Sequence, residues 1–162
     1  MVEEPTLVVD QKVLGRRHVA IDVKSLCEHL DTLVGSQVAE VIMRHHEVRL
    51  GIEDADFILK QNPKAIPSEI VEKLAERWRL SGVGNVQARL SDDGLEITIK
   101  NPCVTKTEGS AKSFLFSHWC GALSVVMSGE FEVIHVTYDP ARDVMKGRIV
   151  PHNSSGNETK ST

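Results

Sequence analysis

The chain lacks most of the features that would assign it at once. Its 162 residues hold only three cysteines, Cys27, Cys103 and Cys120, with no C-x-x-C spacing. That excludes a disulfide framework and a self-contained zinc ribbon. No apolar run reaches the roughly 18 residues of a membrane span. The opening Met1-Val-Glu-Glu-Pro5 is acidic, where a secretory leader starts basic; the expected location is cytoplasmic. Positive charge is not in excess, since the formal net charge is -4 and no basic tract occurs, so nucleic acid is not an expected partner. Catalytic signatures are missing too: G-x-S-x-G, G-x-x-x-x-G-K-[ST] and H-E-x-x-H do not occur. Gly82-Val-Gly-Asn85 is too short for a dinucleotide fingerprint and lies between a helix and a strand, the reverse of the needed order.

What remains is the composition of a globular domain, 41% apolar and 26% charged, long enough for one proper core. Residues 1–18 read as an extended arm with Leu7-Val8-Val9 as its apolar cluster, 19–150 as one domain, and 151–162 as a solvated tail. Asp22 is a good cap for a helix running to Val34. Leu26, Cys27, Leu30, Leu33 and Val34 share one face of it. Ser36 offers a second cap, and Val38, Val41, Ile42 and His45 would form the inward face of a further helix reaching about Leu50; Gly35 either separates the two helices or sits inside one long one. Residues 51–61 read as a further short helix, ended by Asn62-Pro63. Pro67 suits the first turn of the next helix, whose stripe is Ile70, Val71, Leu74, Ala75 and Trp78.

The period then changes from helical to alternating. Val86, Ala88 and Leu90, and again Leu95, Ile97 and Ile99, alternate with polar residues around a Ser91-Asp-Asp-Gly94 turn, the mark of an antiparallel hairpin. Ser113 to Gly129 is apolar almost all round, which places a helix at the centre of a domain. Phe131–Tyr138 and Val144–Val150 read as a last strand pair, with Phe131, Val133 and His135 on one face and Glu132, Ile134 and Val136 on the other. The order predicts an α+β fold: N-terminal helices, then an antiparallel sheet of two hairpins packed around a buried helix.

Candidate chemistry is sparse. His45 and His46 point about 100° apart on a helix and cannot chelate one ion together; one inward and one surface histidine is the plain reading. His118 and Cys120 diverge by about 200° on a regular helix. Cys103 with one of them is the weak candidate for a zinc site, against buried core residues as the alternative. A redox thiol needs a lowered pKa and exposure, which an apolar helix does not supply. Glu130, Glu132, His135, Tyr138 and Asp139 could be assembled into a general acid–base set, but strand edges carry such residues routinely.

Gly82-Val-Gly-Asn-Val-Gln-Ala88, then Leu95-Glu-Ile-Thr-Ile-Lys-Asn-Pro102, then a small-residue helix ending Met127-Ser-Gly129 and a strand pair, resemble the 4-vinyl reductase-type domain. That family shares its fold with trafficking subunits of the TRAPP kind, and the resemblance covers residues 14–150. It implies a domain that binds small apolar or aromatic molecules, often as the input module of a regulator. Zinc-type members carry E-x-x-C-x-x-x-G-x-x-x-C in the last two strands; His135 to Gly147 contains no cysteine here, and zinc is not carried over. The leading expectation is a stand-alone, cytoplasmic small-molecule-binding or sensing domain, working as a homodimer. Phe114, Leu115, Trp119, Leu123 and Met127 would line its pocket, with His118 and Cys120 as polar handles. An interaction scaffold without ligand, using the first helices as partner surface, is the second reading. A metal- or thiol-dependent sensor or enzyme on Cys103, His118 and Cys120 is the third.

Overall fold

Asp22 starts the first helix as its sequence suggests. The Asp22 carboxylate accepts hydrogen bonds from the Ser25 backbone N–H at 3.1 Å and the Ser25 hydroxyl at 2.9 Å, satisfying a donor that the first turn leaves open. The computed structural model describes residues 22–152, and before them the backbone of two paired segments, β1 (Lys12–Val13) and β2 (Arg16–Arg17). The rest of the expected arm, and the tail from 153 onward, lie outside the described residues. Helices α1 (Val23–Val34) and α2 (Ser36–Gln61) meet at Gly35, whose φ of 83° ends one and opens the other. Helix α3 covers Pro67–Leu80. Its Ile66 N–H donates to Glu69 Oε2 at 3.2 Å, and its stripe from Ile70 to Trp78 is buried as expected.

Strands β3 (Asn85–Ser91) and β4 (Gly94–Lys100) pair in register across the expected turn. Helix α4 runs from Gly109 to Leu123 and continues as a π-helical turn, Ser124–Ser128. Strands β5 (Phe131–Asp139) and β6 (Val144–Pro151) complete an antiparallel sheet of order β3-β4-β6-β5. Among the described residues the fold is thus α+β, four helices on a four-stranded sheet, as the element order predicts. Helix α4 lies between α2 on one side and β5 and β6 on the other, which is why it is apolar all round.

Several local expectations are corrected. Residues 36–61 form one helix of 26 residues, because Gly51 continues it; the glycine marks a crossing, not a break. Ser36 is the first helical residue, not the cap. The N-terminal stripes face outward: Leu26, Leu33, Val34, Val38, Val41, Ile42, His45 and His46 are exposed. Helix α2 instead buries Ala39, Met43, Glu47, Gly51, Asp54, Ala55 and Ile58, a row of small and polar residues that matches the small residues of α4. In β5 the register shifts between Val133 and His135. This β-bulge adds one residue, so His135 turns to solvent while Val136 and Tyr138 take the half-buried face. Pro151 pairs with Phe131, so the last strand runs one residue into the expected tail.

Candidate functional site

Glu47, Gly51 and Asp54 recur at helical spacing on the face of α2 that meets α4. A Cβ on Gly51 would collide with the His118 carbonyl oxygen, and one on Gly121 with the Val48 carbonyl oxygen. The two backbones touch at this crossing, and His118 drops into the notch between the two carboxylates. Its Nδ1 lies 3.6 Å from Glu47 Oε2 and its Nε2 lies 3.2 Å from Asp54 Oδ2. Arg77, from α3, forms an ion pair with the same Asp54 oxygen. Glu47, Asp54 and His118 are all buried, at 6%, 1% and 4% exposure, where ionised groups survive only in company.

Loss of water dominates the imidazole. Burial pushes His118 below its ordinary pKa, Glu47 opposes that, and Arg77 adds to it. Burial therefore favours the neutral ring, which donates from one nitrogen and can only accept at the other.

The aromatic residues converge on the same place. The chain has only two tryptophans. Trp78 meets Trp119 and His118, each with ring centroids 5.4 Å apart, and stacks on Phe114 at 6.2 Å. Trp119 is fully buried, and its indole N–H has no hydrogen-bond acceptor among the described residues. Beside this cluster, a groove of about 290 Å³ between α2 and α3 is lined by Phe57, Ile58, Leu80 and Arg77, with Gln61, Lys73 and Glu76 at its polar edge. Arg77 thus borders the groove and also holds Asp54.

The residues singled out in the sequence divide as follows. Leu115, Trp119 and Leu123 are fully buried core, while Phe114 and Met127 are half-buried against it. His118 faces α2 and α3. Cys120 points away, its Sγ 3.8 Å from the Phe116 carbonyl oxygen, beside a polar cavity of about 140 Å³ shared with Glu40, Arg44, Lys112 and Ser117. Cys103 sits after β4, its N–H donating to the Val83 carbonyl at 2.9 Å. The structure does not bring Cys103, His118 and Cys120 together. Among the described residues, no three His, Cys, Asp or Glu side chains are arranged to hold a metal ion. Burial pushes the Cys103 thiol up to about 11 and the Cys120 thiol up to about 12, so both stay protonated. Sequence reasoning missed Glu47, Asp54 and Arg77. Their signal was the Glu-Gly-Asp spacing on α2, which the stronger apolar stripe of the same helix obscures.

No family model matches this sequence, and no curated protein does. Among solved structures, the chain is similar to the phenol-responsive sensory domain of the transcription activator PoxR, solved with phenol. The TM-score is 0.67 at 13% identity, over 85% of this chain and 78% of that one. It also matches a vinyl-4-reductase family protein from Methanocaldococcus jannaschii, with a TM-score of 0.42 at 18% identity, over 64% of this chain and 68% of that one. At these identities the likeness is one of fold, and the fold that this chain shares with the PoxR sensory domain is the one its sequence resemblance leads us to expect.

Proposed function

We propose that this chain is a cytoplasmic sensing domain that binds a small, mainly apolar ring compound carrying a hydroxyl group. One observation carries the reading: a fully buried indole N–H, on Trp119, without an acceptor, next to a histidine set between two carboxylates. An orphaned buried donor costs about 1–3 kcal/mol, which a ligand oxygen would recover. Asp54 and the neutral His118 can accept the hydroxyl proton, and the rings of Trp78, Trp119 and Phe114 suit an aromatic face. Leu115, Leu123 and Met127 would form the apolar wall behind them. Arg77 lines the α2–α3 groove and pairs with Asp54, so the groove is the proposed entry toward the cluster. The PoxR domain of similar fold was solved with phenol, and phenol has this chemistry. Three unpaired cysteines support a reducing compartment.

Calorimetric titration with phenol and with benzene tests the reading. Phenol should bind saturably at one site per chain, and benzene at least about tenfold more weakly because it leaves the polar groups unanswered. Trp119→Phe and His118→Phe should each remove most of phenol's advantage. Equal affinity for the two compounds, or no heat from either, contradicts it.

An interaction scaffold without ligand is the second reading, favoured by the exposed apolar stripe of α1 and α2. It leaves Trp119 an ordinary core residue and predicts no phenol binding at all.

A further inference from the structure

A second cavity lies between α2, α4 and the start of β5, apart from the His118 cluster. Glu40, Arg44 and Val48 recur at every fourth residue of α2, and Ser113, Ser117 and Cys120 fall at i, i+4 and i+7 on α4, so each set makes one helix face. Phe131 and Val133 alternate inward from the start of β5. These faces enclose about 140 Å³, close to the roughly 150 Å³ of a cavity that takes up benzene. Most polar groups at its wall are already answered. Lys112 Nζ pairs with Glu40 Oε1 at 3.1 Å, the Ser113 hydroxyl donates to the Glu40 carbonyl at 3.0 Å, and Glu132 Oε2 lies 3.3 Å from His152 Nδ1. Two groups are not. Arg44 makes no ion pair among the described residues. The Ser117 hydroxyl, on a residue only 2% exposed, makes no hydrogen bond among them.

We propose that this cavity binds a short-chain monocarboxylate. A carboxylate answers both unspent groups at once. The guanidinium fork of Arg44 can hold its two oxygens side by side, and the Ser117 O–H adds a further donor. A buried hydroxyl without a partner is costly, and a ligand oxygen removes that cost. The rest of the wall is apolar, with Val48, Phe131 and Val133 placed to cover a short alkyl tail. Volume sets the length: butyrate is about the size of benzene and fits, whereas a long acyl chain does not. Charge sets the valence. Glu40 and Glu132 stand at the same wall, so a single unspent cation matches one negative charge, and phosphate would bring a second against two carboxylates. None of these residues belongs to the Glu47–His118 cluster, so this site stands or falls separately from the phenol reading.

Calorimetric titration of the full chain with butyrate tests it, with butyramide as the uncharged isostere and inorganic phosphate as the competing anion. Butyrate should bind saturably at one site per chain, at least about tenfold tighter than either of the other two. Arg44→Gln should remove that advantage. Arg44 is exposed, so this variant should keep the far-UV circular dichroism and thermal midpoint of the parent. Ser117→Ala should weaken butyrate binding at least about threefold through the lost donor. If that variant does not fold, Arg44→Lys, which keeps the charge and loses the fork, should weaken it by a similar factor. Equal affinity for butyrate and butyramide, a preference for phosphate, or no saturable butyrate binding overturns the proposal. So does a butyrate affinity that Arg44→Gln leaves unchanged.

Discussion

His118 is a neutral base held in the core by geometry that would charge it in water. Its pKa lies below that of the unfolded chain, so on acidification through the ordinary imidazole range, about pH 6.5, the unfolded state takes a proton that the folded state refuses. Stability should therefore be full above that range and fall as pH drops through it, by at most about 1.4 kcal/mol per pH unit from this group. Urea unfolding at pH 7.5 down to 5 should show that slope in the parent and a flatter one in His118→Gln; equal slopes would remove the assignment. A second single residue, Asp31, acts at a distance in sequence. The Ser110 N–H donates to Asp31 Oδ1 at 3.1 Å, so a side chain from α1 caps α4, whose own cap residue Glu108 makes no side-chain cap bond. Asp31→Ala should cost about 1 kcal/mol in urea unfolding, whereas an exposed carboxylate without such a role would cost almost nothing. Neither role was legible in the sequence, because both depend on a partner far along the chain.

At the scale of elements, the crossing of α2 and α4 organises the molecule. Both backbones approach through glycine, so Gly121→Ala and Gly51→Ala should each cost about 2–3 kcal/mol as the helices are forced apart. Thermal unfolding of the two variants checks this; a parent-like midpoint for either would place the helices farther apart than described. The hairpin, α3 with its first-turn Pro67, and the cap at Asp22 were readable in advance because their buried faces are apolar and their turns carry the expected residues. Helix α2 was not. Its buried row of Ala39, Met43, Glu47, Gly51 and Asp54 carries little apolar signal, and the stripe of Val38, Val41 and Ile42 that does carry one faces solvent. In the same way, alternation alone assigns His135 inward, and only the bulge at Val133–His135 reverses it.

For the whole molecule, helix α2 joins the exposed apolar stripe to the candidate site. The first two turns of α2 carry part of the outward stripe, and its middle carries the carboxylates around His118. Apolar patterning located the central helix, α4, and the family resemblance supplied the fold, but the candidate site lies where three helices meet and draws on residues that no local motif links. The most direct measurement follows the two indole N–H signals of the nitrogen-15-labelled chain by NMR during titration with phenol. With only Trp78 and Trp119 present, both signals report on the site. If phenol binds at this cluster, both should move saturably, with the Trp119 indole proton shifting downfield as its missing acceptor arrives. Two indole signals that stay fixed while phenol is raised to millimolar excess would contradict it.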